Sequence, residues 1–483
     1  MTGDELKEKL ELIQRMKCET QTLEIKSAHS GCPKRLFDTL SSFANQDEGG
    51  TIVFGIDESD GYRETGVYDP QDIQKKINEQ CLQMEPVVRP LLTVIEKEGK
   101  FFVSAEIPGI DISERPCYYR GKGQAKGSYV RIGDSDEPMT DYEIHSYEAF
   151  RRKYRDDIRD VPRVNFTTLN RKSLDDYTER LKSGKPHLAN IEERDICELM
   201  SITKGGQVTL AAEMLFGLYP QAYFPQLCIT AVAVPGNELG DTGSDGERFY
   251  DNRRIEGTIP EMLNEAIAFV KRNMKNSTII DPETGKREDV SEYPITAVRE
   301  AILNALIHRD YSLHTEGMPI CIRMFDNRLE IENPGGLYGR IKIDQLGKVQ
   351  PDTRNPVLAA ALEVLGVTEN RYSGIPTIRK EMKKYGLPEP RFADRRGEFS
   401  VTFYKEHEYP DVASPDVEDD DVMSDVVAFC RTPRSRAEIA EHLDLSSVSY
   451  AIKTYVTPLV REGRIKMTIP ETPKSPKQLF YSE

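Results

Sequence analysis

The chain has 483 residues, with 65 Lys/Arg against 81 Asp/Glu and a formal net charge of −16. That length exceeds one ordinary core and points to about three domains. The acidic balance excludes a uniformly basic coat, the simplest route to indiscriminate nucleic-acid binding, so charge has to be read segment by segment. Eight scattered cysteines form no C-x-x-C pair, Trp is absent, and no run of about 18 apolar residues occurs. The opening MTGDELKEKLELIQRMKCET is a charged helical pattern and not an apolar signal core. A cytoplasmic protein with reduced thiols, no membrane span and no disulfide framework is expected.

In chain order, Leu6, Leu10, Ile13 and Met16 fall at helical spacing over residues 1–16. RLFDTLSSFAN reads as a helix, QDEGG as a turn and TIVFGID as a buried strand. DPQDIQKKINEQCLQ is a helix with Asp69 as N-cap and Pro70 at its first position. LLTVIEK and KFFVSAEIP form a hairpin turning at Glu98-Gly99-Lys100, and SYVRIG is a further strand. The first unit closes near residue 150. RRKYRDDIRDVPR reads as a charged, solvated connecting helix; LNRKSLDDYTERLKSG and RDICELMSIT read as helices and CITAVAVPG as a strand. NRRIEGTIPEMLNEAIAFVKRNM contains a long helix, and STIIDPETGKREDV an exposed hairpin or loop. YPITAVREAILNALIHRDYS is a helix, followed by strands PICIRMFDN and RLEIENPGG paired around Asp326-Asn327, helix LAAALEVLGV and strand EFSVTFYK. PDVASPDVEDDDVMSD is an acidic linker.

The expected organisation is an α+β multidomain protein: an α/β lobe over 1–150, a connecting region over 151–290, an α/β region over 291–407, a linker over 408–421 and a C-terminal domain over 422–483. Residues 426–483 hold nine Lys/Arg against six Asp/Glu, a net of +3. Their order of helices, turn and terminal hairpin is that of a winged helix, with Ser446 to Lys453 in the recognition helix and Lys474 and Lys477 in the wing. The alternative for that domain is a protein–protein winged helix.

Two sites carry chemistry. Glu24 and Lys26, two apart on a strand, share a face, while Glu19 precedes them and Asp57-Glu58 ends a buried strand. Such carboxylates can hold Mg²⁺ or Mn²⁺, and the lysine can stabilise phosphate charge; the plain alternative is exposed charges and turn residues. Between Arg115 and Asp134, Arg115, Arg120, Lys122, Lys126 and Arg131 give a local net of +4, interleaved with Tyr118, Tyr119 and Tyr129. That mixture suits a phosphate backbone with stacked bases, or a solvated hairpin.

The segments LEIKSA, LSSFANQDEGGTIVFGIDESDGYRETGV and ERPCYYRGKGQAKGSYVRIGDSDEPMTDYE together resemble the AlbA-type Schlafen domain of prokaryotic proteins, over roughly 15–148. Ser42 stands where the family has Ala, and Gln46-Asp47-Glu48 lengthens the turn before Gly49. The resemblance implies nucleic-acid binding, DNA first and RNA second, and transcriptional regulation. A related domain in animal Schlafens cleaves tRNA through three carboxylates, whose positions fall here on Glu19, Glu24 and Glu58, with Asp57 beside them. Those enzymes clamp RNA with two lobes, so cleavage by this chain would need a dimer, and a homo-oligomer is expected.

Glu300 and Asn304 lie four apart on one helix face, and His308 continues the line. With I-x-N-P-G-G at Ile331–Gly336 and R-N-P at Arg354–Pro356, the stretch over 160–405 resembles a divergent GHKL (Bergerat) ATPase. The resemblance implies a nucleotide site at Glu300, Asn304, His308, Gly335 and Gly336, with ATP the candidate cofactor. The adenine-reading Asp of that family is missing, replaced at best by Glu332 or Asn333, so binding is expected ahead of hydrolysis. The alternative is that His308–Tyr311 forms a buried polar network that fixes the fold. The leading expectation is a DNA-binding regulator; its rival is a metal-dependent endoribonuclease acting in phage defence.

Overall fold

The computed structural model describes residues 1–280, 287–368, 373–395 and 397–405, and parts of 426–482. The chain divides into two compact units, Met1–His407 and Glu408–Glu483.

The first lobe begins with α1, Gly3–Met16, whose Thr2 and Glu5 close a reciprocal cap at its start. Strands β1 (Leu23–Lys26), β2 (Gly50–Phe54), β3 (Leu91–Lys97) and β4 (Lys100–Ile107) form a sheet in the order β1-β2-β4-β3. β1 and β2 run parallel and the other pairs antiparallel. Successive residues of a strand point to opposite faces. Val53 and Phe102 therefore meet Leu6, Leu10 and Ile13 of α1 on one side. On the other side, Ile52, Phe54 and Val103 meet Leu40 and Phe43 of α2 (Phe37–Ala44) and Ile73 and Ile77 of α3 (Pro70–Cys81). Asp69 caps α3 as expected, accepting from the Gln71 and Asp72 N–H groups. Gly49 is in the left-handed region, and a Cβ there would collide with the Ile107 carbonyl, so the Gly-Gly turn is obligatory. The two-stranded ribbon β5 (Tyr129–Ile132) and β6 (Ser135–Pro138) and helix α4 (Asp141–Arg151) complete the lobe.

The expected helix RRKYRDDIRDVPR does not form. The α4 helix ends at Arg151, and a single short turn, Asp156–Ile158, follows. Asp157 is fully buried and accepts from the backbone N–H groups of Val357 and Leu358. A solvated connector cannot hold such a group; this one is anchored into the core.

Beyond it, helices α5 (Arg171–Gly184) and α6 (Leu210–Phe216) lead into a six-stranded sheet. Its strands are β7 (Ile229–Ala233), β8 (Asp251–Ile255), β9 (Ile320–Met324), β10 (Arg328–Pro334), β11 (Arg391–Arg395) and β12 (Glu398–Tyr404), in the order β8-β7-β9-β10-β12-β11. The sheet draws strands from both sides of residue 290. Against it pack α7 (Ile259–Asn273) and α8 (Ile295–His308), with α9 (Pro356–Val364) and α10 (Gly374–Lys384) completing one continuous core. α8 buries eight apolar side chains from Ala297 to Ile307 and leaves Glu300, Asn304 and His308 less buried. Strand β11 and helix α10 have no counterpart in the sequence reading.

In the second unit, Val426, Cys430, Ile439, Val456, Leu459, Ile465 and Phe480 form a small core beside a three-stranded sheet of Arg434–Ser435, Lys466–Met467 and Leu479–Tyr481. Ser446, Lys453, Lys474 and Lys477 lie outside the described residues. Among the described residues no helix is long and apolar enough to cross a membrane.

Glu213 on α6 is fully buried, and neither carboxylate oxygen has a hydrogen-bond partner. Burial pushes it from the ordinary 4.5 up to about 7. Its folded value is raised, so its contribution to stability is complete below about pH 4.5 and is lost as pH rises through 7. Between pH 5 and 8, wild-type unfolding free energy should therefore fall by roughly 2 kcal/mol more than that of Glu213→Gln. Urea melts of both proteins at several pH values measure this; parallel pH profiles would show that the group is not the cause.

Candidate functional site

On the first lobe, β1 points Glu24 and Lys26 to one side, and the two side chains form a tight ion pair. Arg131 from β5 lies 2.9 Å from Glu24, 3.0 Å from Asp136 and 3.8 Å from Glu19. Its guanidinium also donates to the Leu23 carbonyl, and the Phe43 ring lies 5.2 Å away. Glu19 accepts from the Ile25 N–H at 2.7 Å and is 4.0 Å from Lys26. Burial pushes Glu19 up to about 7, opposed by the Ile25 hydrogen bond and reinforced by the neighbouring Glu24 carboxylate. Glu58 accepts from the Tyr62 hydroxyl, while Asp57 is turned onto Ser59 and caps its own short turn. Glu19, Glu24 and Glu58 are thus close enough to feel each other, as the sequence suggested. The countercharge of Glu19 and Glu24, however, comes from Lys26 and Arg131. Among the described residues no three His, Cys, Asp or Glu side chains are placed to hold a metal ion.

The basic stretch divides into two kinds of residue. Arg115 and Arg131 are buried, Arg115 bonding the Ile110 carbonyl and the Asp47 carboxylate, so neither is a surface phosphate contact. Arg120, Lys122 and Lys126 are exposed. Arg120 reaches the Leu82 carbonyl and Glu85; Lys122 reaches the Tyr129 hydroxyl and Asp38. The segment leading into α2 brings Arg35 to the same place, paired with Asp38 and bonded to the Tyr129 hydroxyl, with exposed Lys34 beside it in the chain. The sequence reading missed these two because they lie some eighty residues from the stretch they join. Tyr129 is buried and Tyr119 stacks on Phe37 at 3.7 Å, so these rings organise the basic face.

In the second half of the unit, α8, the end of β10 and the start of α10 enclose a cavity of about 500 Å³. Glu300, Asn304, His308, Gly335, Gly336 and Gly374 line it, and Ile331, Phe392, Phe399 and Val401 form an apolar wall. Gly374 approaches Asn304 and Glu300 so closely that a Cβ would lie 3.0 Å from the Asn304 amide and 3.4 Å from the Glu300 carboxylate. This brings the N-terminal end of α10 against the line on α8. The signal that could have found it is Ser373-Gly374 ahead of the amphipathic TIRKEMKK run. Glu332 is committed to Arg323 by an ion pair, whereas Asn333 lines the cavity, is 4% exposed, and has no partner for its Oδ1 atom. Burial pushes His308 down to about 4, with the Arg354 charge in the same direction, so its imidazole is neutral. The adjoining Arg309–Tyr311 residues form the buried network considered above. Asp310 accepts from the Ser312 N–H and lies 3.5 Å from Arg354, and the Tyr311 hydroxyl donates to the Leu306 carbonyl.

Three segments match known families. Residues 19–140 match Schlafen, AlbA_2. Residues 317–403 match HATPase_c_4, described as "Putative ATP-dependent DNA helicase recG C-terminal". Residues 420–481 match the "Filamentation induced by cAMP protein Fic-like, C-terminal domain", which the sequence reading did not anticipate. One α+β chain thus carries a segment similar to the Schlafen AlbA_2 model and another similar to the recG-type HATPase_c_4 model. Among solved structures, the DIP2311 protein from Corynebacterium diphtheriae is 18% identical, with 92% of this chain and 88% of that chain covered and a TM-score of 0.39. The N-terminal domain of a "Putative ATP-dependent DNA Helicase RecG-related Protein" from Nitrosomonas europaea is 28% identical, with 27% of this chain and 90% of that chain covered and a TM-score of 0.22. No curated protein matches the chain.

Removing Arg131 leaves the buried Glu24 and half-buried Asp136 carboxylates short of their cation. Arg131→Met should cost about 3 kcal/mol of stability, and Lys126→Ala less than about 0.5. Urea unfolding compares them; an Arg131→Met protein as stable as wild type would return that residue to the surface-contact class.

Proposed function

We propose that this protein is a DNA-binding regulator whose AlbA-type lobe contacts the phosphate backbone and whose HATPase-type cavity holds a nucleotide as a sensed ligand. One observation carries the reading of the cavity: the N-terminal end of α10 is brought, through Gly374, against Asn304 and Glu300 in a space of about 500 Å³. Helix N-termini attract phosphate, and the volume lies within the usual range for small-ligand sites. Binding is favoured over turnover because the Glu300 carboxylate is paired with Arg299 at 3.1 Å, which competes with the water it would have to polarise. Support for nucleic-acid contact comes from the AlbA_2 match together with the exposed Lys34, Arg35, Arg120, Lys122 and Lys126 side chains. The C-terminal domain is carried in the proposal as a second DNA contact, with its net of +3.

The rival nuclease reading needs a divalent ion at Glu19, Glu24 and Glu58, where Lys26 and Arg131 already pair with Glu19 and Glu24. One set of measurements separates the two. Calorimetry should show ATP binding that weakens at least tenfold in Asn304→Ala. Binding to a DNA duplex should weaken with salt, and Lys34→Ala/Arg35→Ala/Lys122→Ala should flatten the log–log slope by about 0.9 per phosphate contact removed. Cleavage of tRNA with Mn²⁺ by the wild type, lost in Glu19→Ala/Glu24→Ala/Glu58→Ala, would overturn the regulator in favour of the nuclease.

A further inference from the structure

The stretch from Gly335 to Thr353 faces two ways. On one side Leu337, Tyr338, Ile341 and Val349 line the cavity. On the other, the same stretch touches the AlbA-type lobe. Lys342 pairs with Asp47 at 3.0 Å and Arg340 with Asp111 at 3.6 Å. The Tyr338 ring meets Phe150 of α4 edge-on at 5.5 Å, and Arg340 lies over that Phe150 ring. Asp47 is also the carboxylate that holds the buried Arg115 inside the lobe. A second route runs through the interior. The Tyr142 hydroxyl of α4 donates to Asp310 at 2.9 Å, Asp310 lies 3.5 Å from Arg354, and Arg354 donates to the Gly336 carbonyl at the cavity wall. Between β10 and α9 the stretch contains one short turn, Ile343–Gln345, and belongs to no sheet. Its position is therefore set by what it touches on either side.

We infer that this stretch couples the cavity to the nucleic-acid lobe, so that a nucleotide seated against it changes the lobe's affinity for DNA. By linkage, DNA changes the affinity for nucleotide by the same factor. The inference rests on the cavity reading above. Of the two routes, the exposed ion pairs are the weaker and the buried bond from Tyr142 to the Asp310 carboxylate the stronger.

The test uses the full chain, ATP as the cavity probe and a fluorescein-labelled DNA duplex followed by anisotropy. Saturating ATP should change the wild-type DNA affinity by at least about fivefold. In Tyr142→Phe, which keeps the ring and removes the hydroxyl, the factor should shrink markedly. In Tyr142→Phe/Arg340→Ala/Lys342→Ala it should fall below about twofold, with calorimetric ATP affinity unchanged in both variants. Arg340 and Lys342 are themselves basic, so the ratio with and without ATP is compared, not the bare affinity. ATP binding without any change in DNA affinity overturns the coupling and leaves the cavity reading standing. A wild-type ratio preserved in the triple variant overturns the coupling through this stretch, and an absence of ATP binding overturns both readings.

Discussion

Arg131 has a side chain only 1% exposed, and a guanidinium does not deprotonate to escape burial. It must be met by carboxylates and carbonyls, and the first lobe is arranged to supply them. Glu24 comes from β1, Asp136 from β6, and the Thr20 and Leu23 carbonyls from the approach to β1. The Ser42 and Thr39 hydroxyls of α2 in turn donate to Asp136. One buried cation thus ties a strand and a helix near the start of the chain to a ribbon roughly a hundred residues further on. The same constraint recurs through the rest of the unit: Arg115 on Asp47, Arg354 on Asp310, and Asp157 on the N-terminal N–H groups of α9. Breaking such a site is costly because the group left behind remains buried and unpaired.

This constraint also explains what the sequence could and could not reveal. Elements whose identity depends on local signals were legible: α1 from its apolar spacing, α3 from Asp69-Pro70, and the β3–β4 hairpin from Glu98-Gly99, both at positive φ. The line Glu300–Asn304–His308 was legible because one helix carries it. The status of Arg115 and Arg131 was not, since counting charges in a window cannot reveal Asp47 or Glu24, which sit far upstream. RRKYRDDIRDVPR misled in the same way: six Arg/Lys and three Asp read as solvent-facing, yet Asp157 is the residue that holds α9. Helix α10 escaped because it opens on Gly-Ile-Pro and offers little over two turns of amphipathic pattern.

The two halves of the unit handle unpaired groups differently. The carboxylate cluster of the lobe is charge-balanced at Glu24 by Lys26 and Arg131, the Glu24 Oε2 atom lying 2.9 Å from the guanidinium without a hydrogen bond, and burial pushes Glu19 up. Satisfied buried networks define one arrangement and hold it. The cavity, in contrast, has on its wall the Asn333 Oδ1 atom, which has no hydrogen-bond partner among the described residues. Buried polar groups usually find a partner, and water or a bound ligand in the cavity can supply one to Asn333.

The identity of Asn333 bears on what that partner is. A carboxylate at the end of β10 would accept only, whereas an amide both accepts and donates. Glu332 cannot supply the missing carboxylate, because β10 points it to Arg323 on the neighbouring strand β9. Alternation along the strand then leaves Asn333 as the group presented to the cavity, opposite Phe399 of β12. A site built this way can hydrogen-bond a base edge that offers a donor next to an acceptor, which is the pattern of a purine's six-position and its neighbouring ring nitrogen. In the proposed nucleotide reading, recognition at this end of the cavity would rest on hydrogen bonding by Asn333 and on the apolar wall of Ile331, Phe392 and Val401.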